Sequence, residues 1–72
     1  MKQAILIRSN PVWRIGNLRG MSYEELDSVL TQTLAEPSCP SRLLLLETGE
    51  NYTYQELLDS GIRKLIHNRI GG

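Results

Sequence analysis

Apolar positions along the chain follow two different periods, and the switches between them mark the elements. Ala4-Ile5-Leu6-Ile7 is a continuous apolar run, β-branched in part and flanked by polar residues, so Lys2 to Arg8 reads as a strand. Leu43 to Leu46 is a second such run. A strand of this kind is expected to be buried on both faces, with neighbours on either side. These two strands are therefore expected to lie side by side, in parallel, at the centre of a sheet. Between them Val12 to Leu18 alternates, placing Trp13, Ile15 and Asn17 on one face and Val12, Arg14, Gly16 and Leu18 on the other. Gly16 weakens this segment, which suits an edge or bulged strand. Ser9-Asn10-Pro11 supplies the turn into it, because proline fixes its own φ and drives the preceding residue towards extended backbone.

The helical period occurs twice. Ser22 with Glu25 three residues on fits a capping box, in which each side chain satisfies a backbone donor of the first turn. Tyr23, Leu26, Val29, Leu30, Thr33 and Leu34 then keep three- and four-residue spacing as far as Ala35, and Pro37 stops the helix. Thr53 with Glu56 repeats the start signal, after the turn chemistry of Thr48-Gly49-Glu50-Asn51. Tyr54, Leu57, Leu58, Ile62, Leu65, Ile66 and Ile70 follow as one apolar stripe. Gly61 interrupts that stripe, so the helix bends or ends there, or admits a close neighbour. The likeness of Ser22-Tyr23-Glu24-Glu25-Leu26 to Thr53-Tyr54-Gln55-Glu56-Leu57 reads as two helices needing the same start. A duplicated strand–helix unit is the alternative.

The pattern gives a single small α/β (α+β) domain over residues 1–72, ordered strand, strand, helix, strand, helix. It implies a three-stranded mixed sheet with two helices on one face, and an opposite face left partly open or covered by a second copy. A chain of this length buries only roughly 60–65% of the surface its unfolded form exposes, so self-association is an economical source of stability.

Net formal charge is zero, which argues against a protein built mainly to coat nucleic acid. The charges are nevertheless sorted along the chain. Lys2, Arg8, Arg14 and Arg19 come first, then the acids Glu24, Glu25, Asp27 and Glu36, then Glu47, Glu50, Glu56 and Asp59, and finally Arg63, Lys64 and Arg69. The single cysteine excludes an internal disulfide and points to a reducing, cytoplasmic setting. Ala4 to Ile7 is too short for a secretory core or a membrane span, so no membrane association is expected.

Candidate chemistry is sparse. Cys39 follows a helix C-terminus between Pro37 and Pro40, where the helix dipole disfavours a thiolate. His67, the only histidine, has no cysteine or second histidine at metal-ligand spacing and no nucleophile beside it in the sequence. The carboxylate pairs Glu24 with Asp27 and Glu56 with Asp59 lie in first turns of helices, which are usually solvated, and Asp59 is placed to pair with Arg63 four residues on. No catalytic residue, metal site or cofactor is therefore expected. Arg14, Arg63, Lys64 and Arg69 are the candidate nucleic-acid contacts, arginine being suited to phosphate by its donor fork. Trp13, Tyr52 and Tyr54 form a candidate aromatic patch, and Glu24 and Asp27 an acidic helix face, for a protein partner.

The order strand, strand, helix, strand and the ending Gly71-Gly72 resemble ubiquitin and its sulfur-carrier relatives. That resemblance implies a glycine tail that is activated and conjugated, and it requires a last strand leading into the tail. The helical spacing of residues 54–70 departs from it. The reading that fits most of the pattern is a non-enzymatic accessory or regulatory protein acting by protein–protein binding as a homodimer. A small nucleic-acid-binding regulator is the alternative, and a ubiquitin-like or sulfur-carrier protein a further one.

Overall fold

A computed structural model describes residues 3–71. Its elements are β1 (Ile5–Ile7), β2 (Trp13–Gly16), α1 (Tyr23–Leu34), β3 (Arg42–Leu45), β4 (Asn51–Thr53), α2 (Tyr54–Leu57) and α3 (Ser60–Ile70). The class is the α+β one read from the pattern, with a four-stranded sheet in place of three strands and three helices in place of two. Strand order follows chain order, β1-β2-β3-β4, with β1 antiparallel to β2, β2 parallel to β3 and β3 antiparallel to β4.

The central positions differ from those expected. β2, with its glycine, pairs with β3, and the continuous run Ile5–Ile7 forms an edge strand instead. The reason is visible in the side chains. Trp13 and Ile15 alternate inwards and are buried, as are Leu43 and Leu45 on β3 and Tyr52 on β4. Leu44 is only half-buried and Leu46 is exposed, so the Leu43–Leu46 run is not covered on both faces. A run of leucines shows that a strand is apolar; it does not show that both faces are used. β4 escaped the sequence pattern because it is three residues long and carries one buried side chain, Tyr52.

Both capping boxes form. Ser22 Oγ accepts from the Glu25 N–H while Glu25 accepts from the Ser22 N–H, and Thr53 and Glu56 repeat the arrangement. The two strand–helix steps are not equivalent, since α1 follows the central strand β2 whereas Thr53 ends the edge strand β4 and caps α2 directly. The second helix is broken in two. α2 ends at the C-cap Leu58, and Asp59 starts α3 by accepting from the Gly61 and Ile62 N–H groups at 2.7 and 3.3 Å. Gly61 thus lies just inside the new helix, where a Cβ would stand 2.9 Å from the Asp59 carboxylate.

One core joins the inner sheet face to the helices, with Leu26, Leu30 and Leu34 of α1, Leu57 of α2, and Ile66 and Ile70 of α3 packed on Trp13, Ile15, Leu43 and Leu45. All three helices therefore cover the same face. On the uncovered face Leu46 lies across β2, and a Cβ on Gly16 would stand 2.7 Å from its Cδ1. The glycine in the central strand is the space that this leucine occupies.

Candidate functional site

The residues singled out by the sequence are dispersed. Trp13 is 5% exposed, inside the core, with the Arg8 guanidinium 5.4 Å from its ring centroid. Tyr52 is also buried, and its hydroxyl donates to Glu50 at 2.9 Å. Tyr54 is half-buried against the core. The three aromatic rings are therefore largely internal, and no aromatic patch forms.

The basic residues are mostly engaged. Arg63 is only 8% exposed, and its Nε donates to the Leu57 carbonyl at 2.7 Å. Its remaining nitrogen contacts go to Asp27 Oδ1 at 2.6 Å, Thr31 Oγ1 at 2.8 Å and the Asp27 carbonyl at 3.2 Å. One side chain thus closes the C-terminal end of α2 and fastens it to the middle of α1. Asp27 and Arg63, assigned by the sequence to two different partner surfaces, are paired with one another, and the expected Asp59–Arg63 pair does not form. Spacing carried a signal for this, because Arg63, Ile66 and Ile70 fall on one stripe of α3, three and four residues apart, and all three are buried.

Arg69 donates to Glu50 at 2.8 Å and to the Tyr52 hydroxyl at 3.1 Å, tying the end of α3 to the β3–β4 hairpin. The Tyr52 hydroxyl, followed by Arg69, holds the Glu50 carboxyl below the usual carboxylate range. Lys64 Nζ stands 5.9 Å from the Tyr23 ring centroid. Arg14 lies on the uncovered sheet face, away from the helices that carry the other three. The four candidate phosphate contacts do not converge.

His67 Nε2 sits 2.9 Å from the Met21 carbonyl, to which it donates, and its ring meets Tyr23 edge-on. Burial pushes the Cys39 thiol up from its ordinary pKa, with Glu36 adding to the effect, so it is protonated at neutral pH. Among the described residues no group of three or more His, Cys, Asp or Glu is arranged to hold a metal ion. No described helix is long and apolar enough to cross a membrane. The last strand that a ubiquitin-like tail requires is replaced by α3, capped by Gly71 at φ 83°, and Gly72 lies outside the described residues.

What the structure does bring together is aliphatic. On the uncovered sheet face Ile5, Ile7 and Leu46 are 53, 43 and 46% exposed, with half-buried Leu44 among them. Register explains the grouping. Ile7, Arg14, Leu44 and Asn51 form one row across the four strands, and Ile5 stands beside Gly16, over which Leu46 folds. Arg14 interrupts this cluster, standing between Ile7 and Leu44, and Arg42 borders it on the same face. No protein-family model matches the chain, nor does any curated protein or any solved structure.

Proposed function

We propose that the protein is a non-enzymatic accessory or regulatory module that acts by protein–protein binding, and that it self-associates as a homodimer through the uncovered sheet face. The observation that carries this reading is the cluster of Ile5, Ile7, Leu44 and Leu46. Apolar side chains gathered on one flat face are a recognised mark of an interaction surface, whereas scattered ones need no explanation. A symmetric interface would place each cluster against its copy, as two sheets packed face to face, with Arg42 at the rim and the long Arg14 side chain, between Ile7 and Leu44, reaching outwards across the contact. A single, protonated, half-buried thiol suits a reducing cytoplasmic setting for such a protein.

Sedimentation equilibrium from low to high micromolar concentration tests the proposal. A dimer whose stability is little altered by salt is expected, and Leu46→Glu, at a position already in contact with water, should give a folded monomer. A wild-type chain that stays monomeric throughout the range, or a Leu46→Glu chain that dimerises as well as wild type, refutes self-association through this face.

A further inference from the structure

Beside β1, on the helix side of the sheet, runs an open groove of about 630 Å³ between that strand and α1. Its floor includes Ala4, Leu6 and Val29, and its rim carries Glu24, Glu25 and Glu36. No cation lines it. Glu24 makes no hydrogen bond or ion pair with another described residue. Glu25 uses one oxygen on the Ser22 N–H, and Glu36 is held by Arg8, which donates to both its oxygens at 3.0 and 2.8 Å, so the Glu24–Glu25 end is the one left open to a cation.

The strand wall of the groove is an open sheet edge. The Ile15 carbonyl accepts from the N–H of Leu46, the residue that follows β3, so the peptide groups of Ile15 face β3, and by alternation those of Arg14 and Gly16 face β1. Ile5 with Gly16 and Ile7 with Arg14 are then the hydrogen-bonded pairs. The Leu6 N–H and C=O therefore point outwards from the sheet, and no described residue bonds them. Edge groups of this kind are where an added strand binds.

We infer that this edge and groove take up an extended peptide of another protein, added as a fifth strand beside β1, with cationic and aliphatic side chains at alternate positions facing α1. The backbone of such a peptide pairs with Leu6, its aliphatic side chain enters above Leu6 and Val29, and its lysine or arginine meets Glu24 and Glu25 at the open end. A second copy is a poorer occupant. Edge-to-edge pairing through β1 would bring two acidic α1 flanks over the same groove, and like charges oppose that approach. The inference rests on the protein-binding reading above, but uses a different surface from the proposed dimer.

The probe is the blocked peptide Thr-Lys-Thr-Val-Thr-Lys-Thr, titrated into the isotopically labelled full chain while amide shifts are followed. Expected are saturable shifts at Ala4, Leu6, Val29 and Gln32, slowed hydrogen exchange at the Leu6 amide, and affinity that weakens with salt. Glutamate in place of both lysines should abolish binding. Glu24→Lys should weaken it at least several-fold with the circular dichroism spectrum unchanged. Leu46→Glu should leave it unaltered, so failure of the dimer and failure of the groove are separately visible. No shifts, shifts centred on Arg14 and Leu44, or concentration-dependent protection of Leu6 without peptide would each overturn the inference.

Discussion

Replacing Arg63 with methionine removes the guanidinium and keeps much of the aliphatic stem. Four hydrogen bonds go with it, to Leu57, Thr31 and both the carbonyl and carboxylate of Asp27. Hydrogen bonds to a charged group contribute about 1.5–3 kcal/mol each, but these are not additive, because all four share one side chain. The Asp27 side chain is 44% exposed, so water takes over much of what it loses. The Leu57 carbonyl is less fortunate, being next to a fully buried leucine side chain at the end of α2. A net loss of about 2–3 kcal/mol follows, against a total stability of roughly 4–10 kcal/mol for a chain of this size. Thermal unfolding should then fall by about 10–20 °C, at about 4–8 °C per kcal/mol. Urea unfolding followed by circular dichroism, with calorimetry on the same samples, measures both quantities. Arg63→Lys should recover only part of the loss, since an ammonium cannot span the α2 terminus and α1 together. If Arg63→Met unfolds within about 0.5 kcal/mol of wild type, the variation ordinary at surface sites, the assignment of Arg63 as the fastening between α1 and α2 is wrong.

Acid should destabilise the fold through Glu25, Glu36 and Glu50, whose carboxyls are held below their usual range by Ser22, Arg8 and Tyr52 respectively. Their folded pKa values lie below the unfolded ones, so this stability is present above the ordinary glutamate pKa of about 4.3 and is lost as pH falls through the folded values. The urea midpoint should hold level down to that region and drop beneath it, less steeply in Glu36→Gln and Glu50→Gln; a drop beginning near the histidine pKa instead contradicts the assignment. Gly16→Ala should cost about 1–2 kcal/mol because the new Cβ displaces Leu46, and the cost should shrink in a Leu46→Ala background, which removes Cγ and Cδ1 but keeps the Cβ at 3.0 Å; equal losses in both backgrounds would refute the contact.

Local chemistry was the legible part of this fold. Ser22 with Glu25 and Thr53 with Glu56 state helix starts within four residues, and both boxes form. The alternation that puts Trp13 and Ile15 on one face was equally plain, but not that this face is the inner one, since Trp13 reads as part of a partner-binding patch and is buried. Neighbourhood was not. Nothing within Ile5–Ile7 says that it lies at an edge, and nothing within Trp13–Gly16 says that it lies between β1 and β3, because that choice depends on where α1 carries the chain. Gly16 was read as a weakness when it is a seat for Leu46, thirty residues away in the chain. The charged positions misled for a related reason: sequence order sorts Asp27 and Arg63 into blocks of opposite sign, and the fold places them in contact.

The match between strand order and chain order places a seam at the middle of the molecule. Everything before Pro37 contributes one hairpin and α1, and everything after Ser41 contributes the other hairpin with α2 and α3. The two halves meet along the parallel β2–β3 pairing and across the shared core, and residues 37–41 are the tether between them. That tether holds each half at a high effective concentration for the other. Cutting it would convert an internal fold into a bimolecular one, governed by concentration and divided between two fragments that each retain a hairpin and its capped helix.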